Sequence, residues 1–240
     1  MNENIALVTG GTGGIGKSIV GALRNSGWLT IVNSRTFSSE STNPESVTHM
    51  NFDCTDELDI LRNLQILKDN NVFLSDLICC VGNGRINNNQ NIDSWIRYLE
   101  VNLLSCTRVI DSALRIFNSS LSNIVVISSI AGSKAMVDPP IEYSVAKAAL
   151  DQYVKVKALL IAQEGKTINA IAPGNIMYPG SPWDQRLNSN RDYTLNYIST
   201  KVPLGKFGNP EDISNLVLFL LQKNSFATGQ IFQIDGGQSL

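Results

Sequence analysis

Histidine is almost absent from this 240-residue chain, where His49 is the single one. A Ser-His-Asp hydrolase would have to use it, and nothing around it forms a nucleophile elbow. It reads as an incidental residue at the start of a strand. Cysteine is scarce too. Cys54, Cys79, Cys80 and Cys106 include no C-x-x-C spacing, so neither a zinc site nor a disulfide framework is indicated. Buried free thiols are expected, with the adjacent Cys79 and Cys80 on opposite faces of a strand. Charge is modest: 17% of residues are charged, the net charge is −2, and there is no basic tract. Nucleic-acid binding therefore lacks electrostatic support. No apolar run approaches the ~20 residues of a membrane span. The N-terminal stretch MNENIALVTG has neither the basic nor the apolar region of a signal peptide. The expectation is a cytoplasmic protein without a metal, a nucleic-acid partner or a membrane partner.

What is present is an alternation. Short apolar runs at 5–10, 28–33, 47–53, 74–82, 122–129, 167–174 and 229–237 read as strands. Between them lie stretches of helical period at 14–26, 55–69, 93–117, 141–163 and 210–221. This pattern predicts a Rossmann-type, doubly wound α/β fold: a mostly parallel sheet of about seven strands with helices on both faces. With 43% hydrophobic residues and no linker or repeat, residues 1–240 read as a single domain. The polar segment 36–46, which contains Pro44, reads as a loop or a single turn. The segment after residue 174 is rich in Gly, Pro, Asn and Ser and contains Tyr178 and Trp183. It reads as a long aromatic loop acting as a substrate lid at about 175–200.

LVTGGTGGIG follows the first strand and opens the first helix. Glycines let a backbone turn sharply and approach a ligand. A helix N-terminus presents free N–H groups and the positive end of its dipole, which suits pyrophosphate. The glycines admit two spacings, T-G-x-x-x-G-x-G through Gly10, Gly14 and Gly16, or T-G-x-x-G-x-x-G through Gly10, Gly13 and Gly16. At the end of the second strand stand Ser34 and Arg35, where an acid would take the ribose hydroxyls of NAD. A guanidinium and a hydroxyl suit a 2′-phosphate instead, so NADP (NADPH) is expected, with NAD the lesser alternative. Further along, EYSVAK places Tyr143 four residues before Lys147. On a helix the two share a face, and the lysine charge would favour the phenolate.

Taken together, these motifs resemble the short-chain dehydrogenase/reductase family. The first glycine spacing, the APG at 172–174 and the ending DGGQSL resemble its classical branch; the second spacing resembles its extended branch, which includes sugar-nucleotide epimerases and dehydratases, and on balance the chain is identified as a member of the classical branch. The resemblance implies a catalytic set of Asn102, Ser129, Tyr143 and Lys147. Ser128 is the alternative serine if the register shifts by one. It also implies cofactor contacts at Gly10, Thr12, Gly14, Ile15, Gly16, Ser34, Arg35, Asp53, Cys54, Gly82, Tyr143, Lys147, Pro173, Gly174 and Ile176. CCVG takes the place of the family's usual N-N-A-G, which removes two side-chain amides.

The implied reaction interconverts a carbonyl and a secondary alcohol. The nicotinamide carries the hydride, Tyr143 is the general acid/base, Ser129 bonds the carbonyl oxygen, and Asn102 positions a water linking Lys147 to solvent. The long apolar helices resemble those that pair in family members, implying a homodimer or homotetramer. The substrate is expected to be a small molecule, polar, anionic or sugar-like, from Arg85, Trp183, Arg186, Arg191 and the neighbouring amides. Two other readings stand beside this one: a catalytically silent NADP-binding protein, and a sugar-modifying epimerase or dehydratase.

Overall fold

The computed structural model describes residues 4–35, 47–84, 86, 92–222 and 226–240. The crossover at 36–46 and Arg85, both singled out from the sequence, lie outside the described residues. The strands are β1 (Ile5–Thr9), β2 (Leu29–Ser34), β3 (Val47–Asn51), β4 (Asp76–Cys79), β5 (Asn123–Ile127), β6 (Thr167–Pro173) and β7 (Ile231–Ile234). They form one sheet in the order β3-β2-β1-β4-β5-β6-β7, and every pairing is parallel. The helices are α1 (Gly14–Asn25), α2 (Glu57–Asp69), α3 (Ile92–Leu99), α4 (Ser105–Ile116), α5 (Ile141–Ile161), α6 (Pro182–Ser189), α7 (Arg191–Lys201) and α8 (Pro210–Gln222).

The strands read as near-continuous apolar runs because both faces of the sheet are covered. Side chains alternate between two cores. Along β1, Leu7 joins a cluster with α2, α4 and α5 residues such as Leu64, Val109 and Leu150, while Ala6 and Val8 join one with Ile19, Leu23, Ile213 and Val217 of α1 and α8. The same period of two separates the adjacent cysteines. Cys79 belongs to the first cluster and Cys80 packs against the second. Cys54, Cys79 and Cys106 are buried free thiols and Cys80 is half-buried.

Strand order reverses between β1 and β4, since the chain leaves β1 first toward β2 and later returns to its other side. The crevice beyond the carboxyl ends of these two strands is the usual ligand position in open α/β sheets. The two strand ends are tied together there: the Cys80 N–H donates to the Thr9 carbonyl and lies equally close, at 3.2 Å, to the Thr9 hydroxyl.

Two elements differ from the sequence reading. The helix expected at 93–117 is interrupted by a π-helical turn at Glu100–Leu104; such insertions recur at functional sites. The segment expected as a long loop contains α6 and α7. Ser181 caps α6 by accepting from the Asp184 N–H, with Pro182 in the first turn, and Asn190 caps α7 by accepting from the Tyr193 N–H. Ser-Pro is a helix-start signal that the Gly, Pro, Asn and Ser content obscured. No helix among the described residues is long and apolar enough to cross a membrane.

Candidate active site

The glycine loop between β1 and α1 is built by close approach. A Cβ on Gly16 would lie 2.2 Å from the Gly10 carbonyl oxygen, and one on Gly10 would lie 3.1 Å from the Cys80 carbonyl. Gly10 and Gly14 have φ of +67° and +49°, a region that costs side-chain-bearing residues strain. Gly13 is the N-cap of α1. It supplies no side-chain cap, and the first turn holds no acid. Unsatisfied N–H groups at an open helix N-terminus fit a pyrophosphate. Thr12 is exposed and Ile15 half-buried at the same rim.

At the far side of the crevice, Ser34 ends β2 and Arg35 follows it, exposed. Asp53 lies just past β3. Its carboxylate accepts from the Thr55 N–H at 2.9 Å and the Thr55 hydroxyl at 2.8 Å. The Thr55 N–H is the main cause of its lowered pKa, and the Arg35 guanidinium contributes a smaller attraction. Cys54, expected among the cofactor contacts, turns its thiol inward and donates to the Asn33 Oδ1 at 3.2 Å. Burial, then the nearby Asp53 charge, pushes this thiol up to about 12.

The catalytic candidates meet around the start of α5. Lys147 is 2% exposed, and its ammonium donates to the Ile127 carbonyl at 3.0 Å. Its Nζ lies 5.9 Å from the centre of the Tyr143 ring, as the spacing of four on one helix requires. A Cβ added at Gly82 would fall 3.4 Å from that Nζ and 3.3 Å from the Asn102 Oδ1. Gly82, Asn102 and Lys147 therefore converge, and a side chain at Gly82 would crowd the two functional groups. The Tyr143 ring edge faces Gly84, 3.9 Å from where a Cβ would stand.

Asn102 sits in the π-turn. Its Oδ1 accepts the Asn83 N–H at 2.8 Å, and its Nδ2 donates to the carbonyls of Asn83 and Tyr98, both at 3.1 Å. The side chain is a brace between the π-turn and the loop after β4.

The two serines at the end of β5 have different surroundings. Ser128 is buried, and its hydroxyl donates to the Asp151 carboxylate at 2.5 Å. Ser129 is half-buried, and its Oγ accepts the Ala131 N–H at 3.2 Å as the cap of a 3-10 turn at Ile130–Gly132. Of the two, Ser129 keeps a hydroxyl that can reach outward.

Beyond β6, Gly174 packs so tightly that a Cβ would meet Gln238 at 2.3 Å and Asp235 at 2.7 Å. The following bridge between Ile176 and Gly208 uses the Asn175 carbonyl and the Met177 N–H. The main-chain N–H and carbonyl of Ile176 itself take no part in it. Trp183 of α6 is buried against Tyr197 and Phe207, with ring centres 4.6 Å apart in both pairs. Arg186 stacks on Trp183 at 4.7 Å and pairs with Asp138 at 3.2 Å. This guanidinium, expected to suit an anionic substrate, is thus already engaged. Trp95 and residues 137–142 line an open surface pocket of about 440 Å³ at the N-terminal end of α5.

Sequence reasoning missed two features. One is Asp151, which helical spacing from Tyr143 and Lys147 points to. The other is the placement of Tyr178 against Gly14, for which no local signal exists.

A family model described as "Enoyl-(Acyl carrier protein) reductase" matches residues 10–239. A 3-oxoacyl-[acyl-carrier-protein] reductase of Synechocystis is 29% identical, over 99% of this chain and 97% of the relative. A short chain dehydrogenase of Leptospira borgpetersenii, solved with bound NAD+, is 26% identical with a TM-score of 0.89, covering 99% of this chain and 93% of that one. The RhlG protein of Pseudomonas aeruginosa, solved as an NADP active-site complex, is 27% identical with a TM-score of 0.87, covering 99% and 96%.

Proposed function

The chain belongs to the short-chain dehydrogenase/reductase family of NAD(P)-dependent oxidoreductases, and from that premise we propose that it reduces a small carbonyl compound, or oxidises the matching secondary alcohol, with a preference for NADP(H). The observation that carries this reading is the convergence of Lys147, Asn102 and Gly82 beside Tyr143 at the carboxyl ends of β4 and β5.

The nicotinamide, when bound, exchanges the hydride. The chain's own residues do the rest. Gly10, Gly14 and Gly16 let the backbone close on the pyrophosphate, and the uncapped α1 N-terminus meets its charge. Ser34 and Arg35 take the 2′-phosphate, with Asp53 on the adenine side. Ile176 offers its main chain, which the bridge to Gly208 does not use, to the carboxamide, and Pro173 and Gly174 turn the chain over the ring. Tyr143 gives a proton to the carbonyl oxygen, or removes it in the reverse direction. Lys147 holds a positive charge beside the phenol and grips the nicotinamide ribose. Ser129 donates to the oxygen as charge develops on it. Asn102 braces Gly82 and Asn83 beside Lys147, and a water at the π-turn carries protons onward.

The segment at about 175–200 acts as the lid: α6 and α7 share an aromatic core and are tied to the 137–142 side by Arg186 and Asp138. The substrate reading favours a neutral polar or sugar-like carbonyl, since Arg186 is engaged. The Synechocystis relative favours a second reading, a 3-oxoacyl thioester. Assembly as a homodimer or homotetramer is supported by the exposed Val156, Leu159 and Leu160 on α5.

A fluorescence titration with NADPH and NADH tests the cofactor assignment. A turnover panel of ethyl acetoacetate, an acetoacetyl thioester of N-acetylcysteamine and, in the oxidative direction, neutral aldoses tests the reaction. Tight NADPH binding with consumption of NADPH or NADP+ is expected. Absence of turnover across the panel despite binding would favour a silent binding protein, and sugar conversion without net cofactor change would favour epimerase or dehydratase chemistry.

A further inference from the structure

Asp151 lies on α5 one helical turn beyond Lys147 and two beyond Tyr143, so the three share a side of the helix. It is 6% exposed. Burial raises its pKa, against the hydrogen bond from Ser128 and the charges of Lys147 and Lys155. A carboxyl group buried only to fill space would be replaced without loss by an apolar side chain. Its contacts indicate another use.

The Asp151 carboxylate accepts from the Ser128 hydroxyl at 2.5 Å. One turn back, Lys147 donates to the carbonyl of Ile127, the residue before Ser128. Consecutive turns of α5 therefore hold the last residue of β5 and the residue that follows it. On the other side of Ser129 the chain is fixed again. Ser129 caps the 3-10 turn through Ala131, and Gly132 sits so close to α5 that a Cβ there would be 2.8 Å from the Lys147 carbonyl carbon. Ser129 is thus suspended between two attachments to the helix that carries Tyr143. On the β5 side, Asp151 makes the side-chain half of that attachment.

We propose that Asp151 is a positioning residue: through the Ser128 hydroxyl it sets where Ser129 stands relative to Tyr143, so that both reach one carbonyl oxygen. The inference rests on the oxidoreductase reading above, and it assigns Ser128, the serine that does not contact the substrate, a job of its own. Ser128 orients and Ser129 contacts. Reaction rates respond steeply to such placement, with an ångström of misplacement costing on the order of a hundredfold.

The test uses full-length Ser128→Ala, Asp151→Ala, Asp151→Asn and the Ser128→Ala/Asp151→Ala double variant. Steady-state kinetics are read on the substrate panel above, together with the NADPH Kd, the Tm and hydrogen exchange of the amides at 129–134. Ser128→Ala and Asp151→Ala should each lower kcat by roughly tenfold, leave KM and the NADPH Kd within about twofold, and speed exchange at 129–134. Asp151→Asn, which still accepts a hydrogen bond, should restore most of kcat. The double variant should be no worse than the singles, because both remove one interaction. Wild-type kcat in Ser128→Ala and Asp151→Ala would overturn the proposal, even with faster exchange, since the pair would then serve the fold alone. A matching fall in Tm and NADPH binding with no rescue by Asp151→Asn would overturn it equally. A wild type that binds NADPH yet turns over no member of the panel would overturn the oxidoreductase reading, and this proposal with it.

Discussion

The phenol ring of Tyr178 stands against the backbone of Gly14. A Cβ added to Gly14 would lie 2.6 Å from the Tyr178 Cζ and 2.7 Å from its hydroxyl oxygen. Tyr178 comes from the chain after β6, Gly14 from the head of α1. Their contact spans the crevice in which the dinucleotide is proposed to bind, and burial of the phenol, with Cys80 nearby, raises its pKa.

Gly14 and Gly13 should therefore respond differently to alanine. Gly14→Ala meets both a φ of +49° and the Tyr178 ring. It should weaken NADPH binding tenfold or more, about 1.4 kcal/mol. Gly13→Ala enters open space at a φ of −143° and should change binding by less than about threefold, or ~0.6 kcal/mol. Titration of the two variants side by side decides it. Equal losses would mean that neither the ring nor the backbone conformation is the constraint.

Arg35→Ala should weaken NADPH binding much more than NADH binding. A charge-assisted contact to a phosphate is worth roughly 1.5–3 kcal/mol, and NADH has no 2′-phosphate to lose. Parallel losses for both cofactors would remove Arg35 from that role.

Tyr143→Phe should abolish turnover by a factor on the order of 10²–10⁴ while NADPH affinity stays within a few-fold. Lys147→Met should damage both, because the same ammonium holds the Ile127 carbonyl. Comparing kcat with the NADPH Kd in the two variants separates the roles. A Tyr143→Phe enzyme with near-normal kcat would assign the proton transfer elsewhere.

Asp53 carries a pH dependence whose sign follows from its hydrogen bonds. Its pKa is lowered in the fold, first by the Thr55 N–H. The unfolded chain therefore holds the proton more tightly. The stabilisation is complete above the unfolded value, near ~3.9, and fades as pH falls through the lower folded value. The Tm gap between the protein and its Asp53→Ala variant should be present at pH 7 and narrow below about pH 4. A gap that stays constant down to pH 2.5 would show that the carboxylate charge is not its source.

Three of the thiols, those of Cys54, Cys79 and Cys80, should be inert in the folded protein. Burial pushes Cys54 and Cys80 up to about 12, and Cys79 is raised by its hydrogen bond with Cys106 and by burial. Thiolate is the reactive form. Iodoacetamide at pH 8 should leave these three unmodified for hours and label them promptly in denaturant. Rapid labelling of Cys80 in the native protein would place it in solvent.

Much of this protein was decided by residues near one another in the chain. The glycine loop, the Tyr143–Lys147 spacing and the alternation of strand and helix are local patterns, because backbone geometry repeats every 2 or 3.6 residues and needs no distant partner to be read. The all-parallel sheet follows almost as directly from helices between strands. The sequence composition of 175–200 pointed to a loop because Gly, Pro, Asn and Ser recur along it; the caps at Ser181 and Asn190 and the burial of Trp183 against Phe207 made helices there.

The remaining features arose only when distant segments met. Ser128 finds Asp151 23 residues away, and Arg186 finds Asp138 48 residues away. Tyr178 reaches Gly14 across the crevice. Asn102, legible as a motif, became a brace because the π-turn aims its amide at Asn83 and Tyr98. Such contacts depend on which elements the sheet order makes neighbours and on how closely they pack, and no periodicity along the chain encodes either.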